Sequence, residues 1–570
     1  MTNEPLWKRI IAQKRRIRNQ LLAPYLVDDV DSRLPRADRV DERSRLDQEP
    51  KIQTITDIDN IAVLLDRLRK SEFTAEAVAQ AYIKRAVVVH QLTNCLTEVM
   101  FEDALEQARQ LDAEFQATGK LKGPLHGIPV TVKDQFNVKG VDTTLGYVGR
   151  SFDPANEDAV LVQLLKNMGA VIIAKSNLPQ SIMWAETENP LWGLTTNPRN
   201  PEFTPGGSTG GESALLALHG SLVGFGTDIG GSTRIPQATV GLYGFKPSVS
   251  LIVKSQNAHP DEAHRVADSP YYGVPVSTEG QEHVPSSVGS QARDLSSICY
   301  ISRLLADARP WDLDPRCVPL PWNEHEFREI QSRPLVIGLI LDDGVVRVHP
   351  PIARALDELS TALRNYGFEL VTWDTSDHHE YIELMDLYYT VDGAEDIRHD
   401  ISQASEPMIP HVQQLVNRGK AVSVWEYWQL NKRKVKLQKQ YLDKWNSVRS
   451  PSGQKVDVLL SPALPHTSVP HRKIRWVGYT KIWNLLDYSA ITFPVDFVRA
   501  EQDCLPSDSV PYKPRNALDE WNWGLYDVEQ VDGYPVNLQV IGKKLEEEKV
   551  LGATTIIEKI WKDHVAKSGR

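Results

Sequence analysis

The chain has 570 residues, with 64 lysines and arginines against 75 aspartates and glutamates, a formal net charge of -11, 41% hydrophobic and 24% charged residues. That balance is ordinary for a soluble globular protein, and its negative excess leaves no electrostatic footprint for nucleic acid and disfavours an anionic membrane surface. Four scattered cysteines, Cys95, Cys299, Cys317 and Cys504, have no C-x-x-C spacing, so they suggest neither a zinc site nor a disulfide framework and point to a reducing compartment.

Residues 1–54 read as a basic helix followed by an extended arm, and residues 55–570 as one domain. In the stretch from Trp7 to Leu26, Ile10, Ile11, Ile17, Leu21 and Leu22 form an apolar stripe among Lys8, Arg9, Lys14, Arg15, Arg16 and Arg18. Such a helix suits a protein surface, a targeting peptide or a membrane-interface anchor; a Ser-poor stretch joined to a long acidic segment favours the surface. Val27 to Pro50 is polar with charges of both signs, an extended linker or wrapping arm. No apolar run approaches the roughly 18 residues of a membrane span, and the N-terminus lacks a signal-peptide core, so a cytoplasmic location is expected.

From Ile55 the pattern becomes globular. Ile58, Ile61, Leu64, Leu65 and Leu68 recur at helical spacing, Thr74 is an N-cap for a second helix, and Ala104 to Thr118 predicts a third that stops near Gly119. Ile128 to Val132 is a short β-prone run ending at Lys133-Asp134. A strand buried on both faces would hold that lysine near the core and pull its pKa toward a useful base; spacing alone equally allows a surface lysine at a strand end. Asp158 to Met168 predicts a helix and Ala170 to Ala174 a buried strand. The following loop carries Ile182 and Trp184, readable as core or as pocket lining.

Thr204 to Pro247 holds two glycine-flanked serines, Ser208 and Ser232, separated by a helix-prone segment and the β-prone run Leu222 to Phe225. Glycine lets backbone N–H groups converge on a ligand, so the turn at residues 226–232 can supply both a hydroxyl and anion-holding donors. Residues 206–210 also satisfy G-x-S-x-G, but three prolines before Ser208 replace the strand that a nucleophile elbow needs, so Ser-His-Asp catalysis is a minor reading and His126 and His219 read as structural.

These motifs resemble the amidase-signature hydrolases: GGSTGGE at 206–212, GTDIGGSTR at 226–234 and GIPVTVKD at 127–134. The resemblance implies Lys133 as general base, Ser208 as the bridging serine with a cis peptide bond, and Ser232 as nucleophile. It also implies an oxyanion hole from the amides of Ile229, Gly230, Gly231 and Ser232, and a pocket that includes Ile182 and Trp184. Asp228 and Arg234 flank the turn and read as an internal ion pair that frames it. Gln91 to Cys95, Gly123 to Gly127 and Asn484 to Asp487 bring the resemblance nearest to fungal acetamidase-type members.

Farther on, Pro334 to Leu341 and Phe368 to Trp373 predict strands around a helix at Pro351 to Tyr366. Helix-rich sequence from Asp386 to Trp445 carries Tyr388, Tyr389, Trp425, Trp428 and Tyr441, read as core or as cover for the site mouth. His378-His379-Glu380 and His325-Glu326 lack the second histidine of a zinc helix, so no metal is expected. Val456 to Pro462 and Tyr534 to Gly542 are further strands, and a last helix runs from Glu546 to Ile560. The expected architecture is α/β, a mixed β-sheet core covered by helices on both faces. The expected function is hydrolysis of a small-molecule amide to acid plus ammonia or amine, with no cofactor, no obligatory protein partner and a possible homodimer. The motifs equally accommodate a carbamate, ester or lactam hydrolase, or a glutamine-dependent amidotransferase subunit.

Overall fold

A computed structural model describes residues 4–28, 30, 50–249, 269–505 and 512–568; most of the arm expected between Val27 and Pro50 lies outside them. Eleven strands among these residues form one mixed sheet: β1 Leu96–Val99, β2 Pro129–Lys133, β3 Val171–Ser176, β4 Val223–Asp228, β5 Tyr243–Lys246, β6 Ser287–Ala292, β7 Val336–Leu339, β8 Glu369–Thr372, β9 Val458–Pro462, β10 Ala490–Phe497 and β11 Pro535–Ile541. Their order is β1-β3-β2-β4-β6-β5-β10-β11-β9-β7-β8. Pairing is parallel through β3-β2-β4 and again through β9-β7-β8, and antiparallel between those blocks.

Every residue of β2, β3, β4 and β6 is buried, which requires cover on both faces of the sheet. The α/β expectation therefore holds. One apolar core packs the N-terminal helices against β1 to β4, and another packs the C-terminal helix Glu547–Ser568 and the helix Pro350–Asn365 against β10, β11, β9 and β7. The expected strand and helix at 128–133, 170–174, 334–341, 351–366 and 534–542 all form, with ends shifted by a residue or two. Thr74 caps its helix through Oγ1, which accepts from the Ala77 amide, and Gly119 ends the next helix at φ +64°.

The N-terminal helix Leu6–Leu22 packs by part of its apolar stripe, Ile10 and Ile11 lying with Trp7 against Val148, Leu191, Trp192 and Ala404, and by its cations. Its buried residues are Lys14, Arg18 and Leu22, while Ile17 and Leu21 are exposed. Lys14 pairs with Glu98 and with Asp142, the latter at 2.9 Å; Arg18 donates to the Leu96 carbonyl at 2.9 Å and Arg15 to that of Leu191 at 2.7 Å. The cations add to these apolar contacts in docking the helix on the domain, because they find carboxylates and carbonyls at the end of β1 and around 142 and 191. Of the aromatics between 386 and 445, Tyr388 and Tyr441 are buried, whereas Trp425 and Trp428 are 65% and 60% exposed. No helix among the described residues is long and apolar enough to cross a membrane.

Candidate active site

Lys133 closes β2, and the parallel register Val132↔Phe225 sets it beside Thr227 on β4. Its Nζ donates to Thr227 Oγ1 at 3.1 Å and lies 2.7 Å from Ser208 Oγ. Thr227 passes its own proton to Gln135 Oε1 at 2.6 Å, and Gln135 Nε2 donates to the Pro275 carbonyl at 2.8 Å. With its proton committed, Thr227 can only accept from the lysine, so the lone pair of a neutral amine is left for the Ser208 hydroxyl. Full burial, opposed by the charge of Asp228, lowers the Lys133 pKa from 10.5 to about 7. The strand-end lysine is thus a core residue, not a surface one.

Ser208 sits at the start of the helix Gly210–Ala217 after a glycine pair, and the Gly207–Ser208 peptide is cis, as the resemblance implies. Glycine is required at 207 because a Cβ there would lie 2.6 Å from both the amide nitrogen and the carbonyl oxygen of Glu186. Ser232 lies in the turn after β4 and lines a cavity of about 590 Å³ together with Gly207, Ile229 and Gly230. Its hydroxyl makes no hydrogen bond to protein among the described residues; the hydrogen-bonded pair is Lys133 and Ser208, and Ser232 faces the cavity.

The turn is held by Asp228 and Arg234, both buried. Arg234 Nε and Nη2 donate to the two carboxylate oxygens at 3.0 Å each, and Nη2 also donates to Asn484 Oδ1 at 2.9 Å and the Thr480 carbonyl at 3.1 Å. Despite burial, the guanidinium beside it keeps the Asp228 pKa at about 2. The Gly231 amide, at φ +130°, donates to Asp228 Oδ1 at 2.8 Å. This corrects the four-amide expectation: Gly231 N–H is committed to the aspartate. The amides of Ile229, Gly230 and Ser232 have no protein acceptor among the described residues.

Ile182 and Trp184 both line the cavity. Ile182 adopts φ +59° and its neighbour Ser181 φ +71°, a left-handed pair that a β-branched residue rarely accepts; the Ser181 carbonyl is held by Ser277 Oγ at 2.6 Å. The Trp184 ring stacks on His411 with centroids 4.2 Å apart and planes within 6°. His126 and His219 are outside the cavity: the first accepts from the Lys122 amide, the second contacts the Thr56 carbonyl. No group of three or more His, Cys, Asp and Glu side chains among the described residues is placed to hold a metal. Sequence reasoning gave no site role to Thr227, Gln135 or Asn484, although Thr227 belongs to the glycine-rich motif and Asn484 to a stretch of the resemblance; Tyr389, readable as core or as cover for the site mouth, borders the cavity.

The buried amine, the two serines and the framed turn are thus carried by neighbouring elements on one sheet. The family model described as Amidase matches residues 77–551. The chain is 50% identical to "Amidase 1" of Gibberella moniliformis over 97% of this chain and 99% of that one, and 35% identical to "Acetamidase" of Emericella nidulans over 88% of each. A solved structure of "Fatty acid amide hydrolase" superposes with a TM-score of 0.87 at 30% identity, over 97% of this chain and 95% of that one. The chain belongs to the amidase-signature family and is an amide hydrolase.

Proposed function

We propose that the chain cleaves the C–N bond of small carboxylic amides through an acyl-enzyme, with Ser232 as nucleophile, Ser208 as proton relay and Lys133 as base. The observation that carries this reading is the 2.7 Å contact between Lys133 Nζ and Ser208 Oγ in a site where burial brings the pKa of the amine down to about 7. Ser232 Oγ bonds to the substrate carbonyl carbon as its proton passes to Ser208 and the Ser208 proton to Lys133. The oxyanion rests on the amides of Ile229, Gly230 and Ser232. The proton then returns through Ser208 to the amide nitrogen, the C–N bond breaks, and ammonia or an amine leaves. Water attacks the acyl carbon by the reverse relay, releasing the acid and restoring the Ser232 hydroxyl. Each free amide is worth about 2.7 to 4 kcal/mol of barrier.

No step needs a second protein, so residues 55–570 act as one catalytic unit on a small-molecule amide, as a monomer or a homodimer. Rapid quench of the full chain with an amide substrate, read by intact-protein mass spectrometry, tests the reading. The acyl mass should appear on the peptide containing Ser232 and vanish in Ser232→Ala; an adduct on another residue, or turnover retained in Ser232→Ala, would refute it.

A further inference from the structure

The cavity next to Ser232 is far larger than the smallest amides require. At about 590 Å³ it falls among pockets that enclose drug-sized ligands, about 300 to 1,000 Å³. An acetyl group on Ser232 would leave most of it to water.

Its inner walls are flat and apolar. Trp184 is fixed by its stack on His411, and Trp476 by an indole N–H bond to Asp343 Oδ2 at 2.6 Å. Ile182, Ile229, Ile474 and Leu415 fill in between. Two rings held rigid in advance bind a planar group without an ordering cost, and aromatic pairs gain beyond their buried area.

The charged groups of the lining are either paired or exposed, and the Trp184 indole N–H is buried without a hydrogen-bond partner among the described residues. Lys481 Nζ meets Asp386 at 2.6 Å and lies 5.2 Å from the Trp476 ring centre, so its charge is spent on two neighbours. Arg418 and Arg475, also in the lining, are exposed. A charged acyl group among the inner walls would lose its hydration without a partner.

A second unpaired donor sits at the oxyanion turn. The Tyr389 hydroxyl lies against the oxyanion turn, close enough that a Cβ on Gly230 would collide with it. It makes no hydrogen bond to protein among the described residues, and it borders the cavity. Burial keeps the phenol protonated at any ordinary pH. A protonated phenol at that place is a donor left for the substrate.

From this geometry we infer that the preferred substrates are amides whose acyl part carries a bulky, uncharged aromatic group, seated between Trp184 and Trp476, with Tyr389 donating to the substrate beside the oxyanion turn. The inference rests on the amide-hydrolysis reading and names its substrate class. It departs from what the printed name of the acetamidase relative would suggest for a site of this kind.

The test is ammonia release by the full chain from acetamide, butyramide, 2-phenylacetamide and 4-carboxyphenylacetamide. Burying a phenyl ring should raise kcat/KM for 2-phenylacetamide about 10- to 100-fold above that for acetamide, and the added carboxylate should lower it again by at least about 10-fold. Trp184→Ala should erase most of the aryl advantage, lowering kcat/KM for 2-phenylacetamide by a larger factor than for acetamide. Tyr389→Phe, which keeps the ring, should lower kcat/KM for every amide by about 5- to 20-fold. Acetamide within threefold of 2-phenylacetamide, or a carboxylate analogue that reacts faster, overturns the inference.

Titration of Ser232→Ala with 2-phenylacetamide, followed by tryptophan fluorescence, separates the two readings. Saturable binding with no turnover by the native chain would keep the aryl pocket and remove the hydrolysis reading. Turnover of small amides without aryl binding would do the reverse.

Discussion

The sharpest expectation concerns Lys133→Met, which swaps the amine for an apolar side chain of similar reach. In the folded chain the lysine titrates at about 7 rather than 10.5, because β2 is buried along its whole length and only Asp228 supplies an opposing charge. At pH 7 the unfolded chain holds this proton almost fully and the folded chain holds it half the time, so burial of the lysine costs on the order of 4 kcal/mol of folding stability. Methionine removes that cost while giving up two hydrogen bonds of about 1 kcal/mol each, leaving a net gain of about 2 kcal/mol for the variant. Activity should move the other way, with kcat/KM falling about 10²- to 10⁴-fold on loss of the base. The sign of the pH dependence follows from linkage: the folded pKa is depressed, so between about 7 and 10.5 the unfolded state binds more protons and the native chain gains stability as pH rises. The stability difference between variant and native chain should therefore shrink from pH 7 toward pH 10. Urea denaturation at pH 7, 8.5 and 10, with kcat/KM measured between pH 5.5 and 9, gives both quantities. In the native chain kcat/KM should climb through about pH 7 as the amine loses its proton. A variant that is much less stable than the native chain at pH 7, or a native profile flat across that range, would refute the account of Lys133 as a buried neutral amine.

Three other substitutions probe the surroundings. Thr227→Val removes the acceptor for the lysine N–H, which favours the neutral amine further; the rise of kcat/KM should shift below pH 7 and its plateau fall about tenfold, while a shift upward would contradict the hydrogen-bond direction assigned to Thr227. Arg234→Met strands Asp228 in the core without its partner, and should cost about 3 to 5 kcal/mol in urea denaturation together with most of the activity; a loss under about 1 kcal/mol would show that the turn does not depend on the pair. Lys14→Met leaves Glu98 and Asp142 facing each other at the helix dock, and should lower stability by about 2 to 4 kcal/mol with kcat for small amides within about twofold of native; an unchanged urea midpoint would mean that the N-terminal helix is not held by its cations.

Much of the active region was readable in advance because its chemistry is local in the chain. A continuous apolar run ending in Lys133, and glycines bracketing Ser208 and Ser232, are patterns with few physical alternatives once a family resemblance joins them. What stayed hidden is non-local. The strand Ser287–Ala292 reads SVGSQA, with neither apolar alternation nor a β-branched run beyond Val288, yet all six residues are buried because β4 and β5 pair with it from either side. Trp425 and Trp428 were readable as core or as cover for the site mouth, and both are exposed, since a helix's own composition does not say which of its faces meets a neighbour.

The oxyanion turn shows the same limit at the scale of a single hydrogen bond. Residues 229–232 offer four consecutive amides, and their glycines allow all four to converge, so sequence had no ground to exclude one. The aspartate that starts the turn is also its frame: to hold Arg234 it must be ionised, and an ionised carboxylate buried with two oxygens collects whatever donors lie near. Gly231 is the donor it collects, along with the Thr233 amide and Asn484. The glycine at 231 therefore serves the frame, and under the proposed mechanism it is the Ile229, Gly230 and Ser232 amides that would hold the oxyanion, fixed donors being the ones that stabilise a transition state without reorganising.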